Sequence, residues 1–171
     1  MLALAILMMA QTAVPGDGNP LAPALAGKIK CTLPDTARKT FRSLATYTPV
    51  SGGGYSCAST ILIAAHGPII IENTSPVFVR GRAVCGTISH QDFLGASLRL
   101  GSRRLTAAEA APLLAKIDVA MTKVIGHEIC QTYEATAGGL VEQASVDGQY
   151  QADRDQLIEW VDPQEGYSVA P

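Results

Sequence analysis

Between residues 43 and 86 the chain alternates short β-branched runs with turn signals, and this pattern constrains the fold more than any other. SLATYTPV (43–50) is broken by SGGG (51–54), and YSCASTILIAA (55–65) by His66-Gly67-Pro68. PIIIEN (68–73) runs into Ser75-Pro76, and VFVRGRAVCG (77–86) closes the series. Valine, isoleucine, threonine and tyrosine fit a pleated strand, while clusters of Gly, Pro, Asn and Ser end one. The expectation is an antiparallel meander. In the last run a period of two puts Val77, Val79, Ala83 and Cys85 on one face. Phe78, Arg80, Arg82 and Val84 fall on the other, with Gly81 marking a bulge that would shift the register by one.

The second half changes period. Thr106-Ala-Ala-Glu109 is a capping box, in which the threonine oxygen and the glutamate carboxylate satisfy orphan backbone N–H groups. Leu113, Leu114, Ile117, Ala120, Met121, Val124 and Ile125 then recur at helical spacing, and Gly126 is a stop. Pro112 calls for a kink or a late start. Beyond the helix, GHEICQTYEAT, LVEQASV and LIEWV read as strands. The expected fold is α+β: an antiparallel sheet of five to seven short strands packed on one main helix that begins at Thr106 and ends at Ile125.

The N-terminus reads differently. Its first fifteen residues, MLALAILMMAQTAVP, carry no charged side chain, and the apolar run over 2–10 has the length of a signal-peptide core and is far too short to span a bilayer. The expected organisation is a signal peptide over 1–13, a Pro/Gly-rich tether over 14–27, and one globular domain over 28–171. The mature protein would then be periplasmic or secreted, and not transmembrane.

Export gives the four cysteines a meaning. Cys31, Cys57, Cys85 and Cys130 are widely spaced with no C-x-x-C pair, whereas metal sites usually draw ligands from close pairs. Two disulfides are expected, Cys31–Cys57 and Cys85–Cys130, the pairing that avoids nested loops.

Net charge is −2, but it is unevenly spread: 28–104 holds ten basic and three acidic residues, and 105–171 holds three basic and eleven acidic. The simplest reading is attraction between the two halves of one domain. The sharper one is a basic surface of Arg80, Arg82, Arg99, Arg103 and Arg104 that meets an anionic envelope polymer or a protein partner. Nucleic acid is not expected, since pI is near 5.9 and no aromatics accompany the arginines.

Catalytic motifs fall short of their chemistry. His127-Glu128 begins H-E-x-x-H, but Gln131 stands where the second histidine belongs. Gly54-Tyr55-Ser56-Cys57-Ala58 is a loose G-x-S-x-G in a strand context, where the elbow needs a strand turning into a helix. His66, His90 and His127 are scattered. Asp147, Asp153, Asp155 and Glu159 offer oxygen ligands without the calcium-loop pattern. No cofactor or metal is expected. The functional expectation is a small exported domain with a structural or binding role in the bacterial envelope. Its competitors are a small secreted hydrolase whose site is assembled from distant residues, and a secreted enzyme inhibitor presenting 51–54 or 136–139 as a rigid loop.

Overall fold

The strands of the expected meander form, and they close on themselves. A computed structural model describes residues 18–171. A short helix, α1 (Ala22–Leu25), precedes β1 (Ile29–Thr32), β2 (Thr40–Phe41), β3 (Ser43–Pro49), β4 (Tyr55–Ala64), β5 (Ile69–Arg80) and β6 (Ala83–Thr87). Next come α2 (His90–Leu94), β7 (Ser97–Leu100), β8 (Arg103–Arg104) and α3 (Ala107–Ala120). The chain ends with β9 (Glu128–Thr136), β10 (Gly139–Val146), β11 (Gln149–Tyr150), β12 (Gln156–Val161) and β13 (Ser168–Val169).

Strand order runs β4-β3-β1-β12-β10-β9-β6-β5, and β5 pairs back onto β4. The result is a closed, eight-stranded antiparallel barrel, mostly β, in place of the expected α+β sheet on a main helix. Closure comes from pairings distant in sequence, such as Ile29↔Val161 and Cys85↔Cys130. A barrel removes the unpaired edges that an open sheet must protect.

Residues paired across strands share a face. The row Lys30–Ala45–Ser59–Asn73 points inward, and the rows Leu44–Thr60–Glu72–Ser97 and Thr46–Ala58–Thr74 point outward. The direction is fixed by Lys30, whose Nζ reaches Gln131 Oε1 at 3.1 Å although β12 and β10 separate β1 from β9 in the wall. That bond crosses the interior.

The face assignment expected around Gly81 is corrected. Gly81 and Arg82 form the turn of a β5–β6 hairpin, so Phe78 pairs with Cys85, Val79 with Val84 and Arg80 with Ala83. Val77, Val79 and Val84 enter the interior core, while Cys85 shares the outer face with Phe78 and Arg80. Ser75-Pro76 does not end a strand either. The Pro76 carbonyl faces Gly86 of β6, so its ring nitrogen faces the same edge, where 73–77 lie between the ladders to β7 and β6. No ladder bond is lost there, which is where a strand tolerates proline.

Each end of the barrel is covered. At one end Leu21, wholly buried just before α1, and Ala24 of α1 insert among Tyr47, Tyr133, Ile158 and Trp160. Residues 19–27, expected as tether, therefore belong to the packed structure, and Asn19 Nδ2 donates to the Tyr55 hydroxyl at 2.9 Å. The expected signal peptide, 1–13, lies outside the described residues. At the other end α2 and α3 pack Phe93, Ala110 and Leu114 on Ile71 and Leu98. The capping box at Thr106 and Glu109 is present. The helix ends at Ala120 rather than Ile125, because the Thr122 hydroxyl donates to the Val119 carbonyl and the chain continues as turns to Gly126.

The β3–β4 loop explains the SGGG run. Gly52, Gly53 and Gly54 all have φ near +90°, and a Cβ on Gly54 would lie 3.0 Å from the Val77 carbonyl oxygen. A small parallel pairing of β2 with β13 covers the outside of the wall, where Phe41 of β2 packs on Cys31 and Val161. Among the described residues no helix is long and apolar enough to cross a membrane.

Candidate functional site: a groove on the barrel wall

The residues singled out in the sequence disperse over the barrel. Cys85 and Cys130 form the expected disulfide between directly opposed positions of β6 and β9. Cys31 and Cys57 do not pair, which corrects the second expected bridge. The period of two explains it: Cys31 points outward among Phe41, Val161 and Tyr167, whereas Cys57 points inward beside Tyr47. Burial pushes the Cys31 thiol up to about 12, assisted by the Glu159 and Glu165 carboxylates, and burial also raises Cys57.

The arginines do not form one face. Arg80 and Arg82 lie at the β5–β6 hairpin, whereas Arg99 lies on β7, which pairs with the opposite end of β5, and Arg103 and Arg104 lie on β8, which pairs with β7. Arg80 is bidentate to Glu128, at 2.7 and 2.8 Å. Arg103 binds Glu109 at 2.9 Å, and Arg99 and Arg104 both reach Glu72, at 2.8 and 2.6 Å. Among the described residues only Arg82 of the five has no carboxylate partner.

The histidines are equally separate. His90 contacts Asp118 at 2.8 Å and His127 contacts Asp147 at 2.6 Å. His127 Nδ1 and the Glu128 backbone N–H lower the Asp147 pKa. Asp147 is thus engaged by His127 and Asp155 by Tyr150, so the four acids do not form one oxygen cage. Ser56 sits in the extended body of β4 and meets no elbow.

Sequence reasoning missed the polar centre of the barrel. Lys30, Glu142 and Gln131 meet there, and Gln156 and Gln131 both donate to Glu142 Oε1 at 2.8 Å. Lys30 is 4% and Glu142 1% exposed, so neither charge is in water. Burial alone would lower the Lys30 pKa, but the facing carboxylate of Glu142 outweighs it and the net direction is upward. Tyr47 and Tyr133 flank the ammonium, with ring centroids 5.9 and 5.4 Å from Nζ. Burial pushes both phenols up. The available signal was a charged residue at an inward position of a strand, as in IKCT and LVEQ.

A concave feature of the outer wall lies elsewhere. A groove of about 600 Å³ runs over β3, β4 and β5. Its floor is the outward rows, with Thr46, Ala58, Thr60 and Thr74, and it continues to Ile29 and Leu44. The wall opposite is α2, whose Gln91, Asp92 and Gly95 line it together with Ser97. This wall exists because the chain leaves β5 after β6, makes one helical turn, and returns to the same strand as β7.

Both carboxylates in the groove are already engaged. Glu72 holds Arg99, Arg104 and the Ser97 hydroxyl. Asp92, 8% exposed, accepts from the Ser89 backbone and hydroxyl, each at 2.6 Å, and from the Ser75 hydroxyl. What remains are hydroxyl and amide groups that donate and accept. No protein family, curated protein or solved structure matches the chain.

Proposed function

We propose that this protein is an exported, non-catalytic binding barrel of the bacterial envelope, with its ligand held in the groove between β3–β5 and α2. The observation that carries the reading is the groove's chemistry. Its charges are mutually compensated, and its free groups are the hydroxyls of Thr46, Thr60 and Thr74 and the amide of Gln91. Such a surface suits a neutral, hydroxyl- or amide-bearing polymer better than a polyanion, because every groove-side arginine already faces a carboxylate. The Cys85–Cys130 bridge supports export, since an oxidising compartment preserves such bonds.

The hydrolase reading has less support. Among the described residues the histidine side-chain contacts go to Asp118 and Asp147 rather than to a serine.

Titration of isotope-labelled protein with an N-acetylglucosamine tetramer tests the reading. Amide shifts confined to Thr46, Ala58, Thr60 and Thr74 are expected, and they should disappear in Ala58→Trp, which fills the floor. Binding of polyglutamate instead, undiminished by Ala58→Trp, would refute it.

A further inference from the structure

The disulfide sits beside a third potential ligand. Cys85 Sγ, Cys130 Sγ and a Glu128 carboxylate oxygen all lie within 4.8 Å of one another. Glu128 and Cys130 are two apart on β9, so both point outward, and Cys85 opposes Cys130 on β6. In the oxidised protein the sulfurs are bonded to each other and Glu128 is held by Arg80.

We propose that the reduced protein holds one Zn²⁺ at Cys85, Cys130 and Glu128, so that the same seam is stapled by a disulfide under oxidising conditions and by a metal under reducing ones. The scaffold survives reduction because the strands, not the sulfur bond, position these residues. Val84↔Gln131 and Gly86↔Ile129 flank the pair within the same ladder, and the two Cα atoms are 4.1 Å apart. Two thiolates on one zinc stand about 3.8 Å apart, from Zn–S bonds of about 2.3 Å in tetrahedral geometry. Neighbouring strands supply that separation without rearrangement.

The electrons and protons balance. A dithiol reductant delivers two electrons and two protons to the Cys85–Cys130 bond, giving two thiols and the reductant's own disulfide. Zn²⁺ then displaces the two thiol protons to solvent and forms two S–Zn bonds and one O–Zn bond, with water in the fourth position. Charge balances as well: two thiolates and one carboxylate against Zn²⁺ and the Arg80 guanidinium sum to zero. The Arg80 side chain is 62% exposed, so it can swing off Glu128 into solvent and remain beside the filled site as counter-charge.

The test uses the full chain, reduced with dithiothreitol, desalted under argon, and titrated with Zn²⁺ against a chromogenic chelator. One zinc per chain and two protons released are expected for the reduced protein, and none for the oxidised. Glu128→Gln should weaken binding by about 10–100-fold, no less than the loss of an outer-sphere partner costs. Cys130→Ser should abolish binding, while Cys57→Ser should retain it. A readout independent of any variant's folding is alkylation of the reduced wild-type chain with peptide mapping. Zinc should protect Cys85 and Cys130. Zinc left entirely with the chelator, or protection confined to Cys31 or Cys57, overturns the assignment.

Discussion

The barrel end under α1 is packed around a charge pair, whereas the end under α2 and α3 is packed with aliphatic side chains. At the first, Lys30 and Glu142 are enclosed by Tyr47, Tyr133 and Trp160 and covered by Leu21. At the second, Ile71, Leu98 and Leu114 meet with Phe93 as the largest member. A buried ion pair contributes little net stability over an apolar replacement, yet it strongly penalises any arrangement that separates its partners. Aliphatic burial is non-directional and stabilises in proportion to the area removed from water, about 25 cal/mol per Å². The first end thus adds a register-sensitive charge pair to its apolar packing, and the second relies on adhesion alone.

Breaking the first end should have the largest effect. Glu142→Leu leaves the Lys30 ammonium buried and unpaired, and chemical denaturation should show a loss of about 3–5 kcal/mol. The paired replacement Lys30→Met with Glu142→Leu sharpens the comparison. It should recover most of that loss, and a double mutant as unstable as the single would show that the pair contributes adhesion after all. At the second end, Leu98→Ala should cost about 2–5 kcal/mol through lost burial and a residual cavity, with no partner substitution able to restore it. Between the two, Cys85→Ser should cost about 2–5 kcal/mol, read as a fall in melting temperature under non-reducing conditions. Smaller again, Thr106→Ala removes the cap of α3 and should cost about 1 kcal/mol.

The ends should also fail at opposite extremes of pH. Glu109, at the start of α3, is held down to about 2 by the Thr106 backbone N–H, the Thr106 hydroxyl and Arg103. Its folded value lies below the ordinary 4.5, so its contribution is whole above that value and is lost as pH falls towards 2. Lys30, Tyr47 and Tyr133 all have raised folded values, so their contribution is whole at neutral pH and is lost as pH rises past the ordinary lysine and tyrosine range. Glu109→Gln should flatten the acid limb of a melting-temperature profile and leave the alkaline limb in place.

What could be read in the sequence was local. The strands over 43–50 and 55–65, the Thr106 cap and the helical face through Leu114 depend on neighbours a few residues away, and they appear where expected. Closure depends on β1 meeting β12 and β6 meeting β9, which no local pattern announces. The two disulfide assignments show the same division. Cys85 and Cys130 face each other because distant strands pair, while Cys31 and Cys57 are separated by the two faces of the wall. The groove was illegible for a related reason. Thr46, Thr60 and Thr74 become neighbours only once three strands are in register, and α2 becomes a wall only because the chain returns to β5.

The seam between β1 and β12 has a kinetic consequence. Ile29 pairs with Val161, so this pairing closes a loop nearly the whole length of the barrel, and rates for such non-local topologies fall in the millisecond-to-second range. Lys30 on β1 and Glu142 on β10 meet across that seam, on either side of β12. The step that zips β1 onto β12 is therefore also the step that drives water from two charges, and its rate should depend on whether both are ionised when they meet.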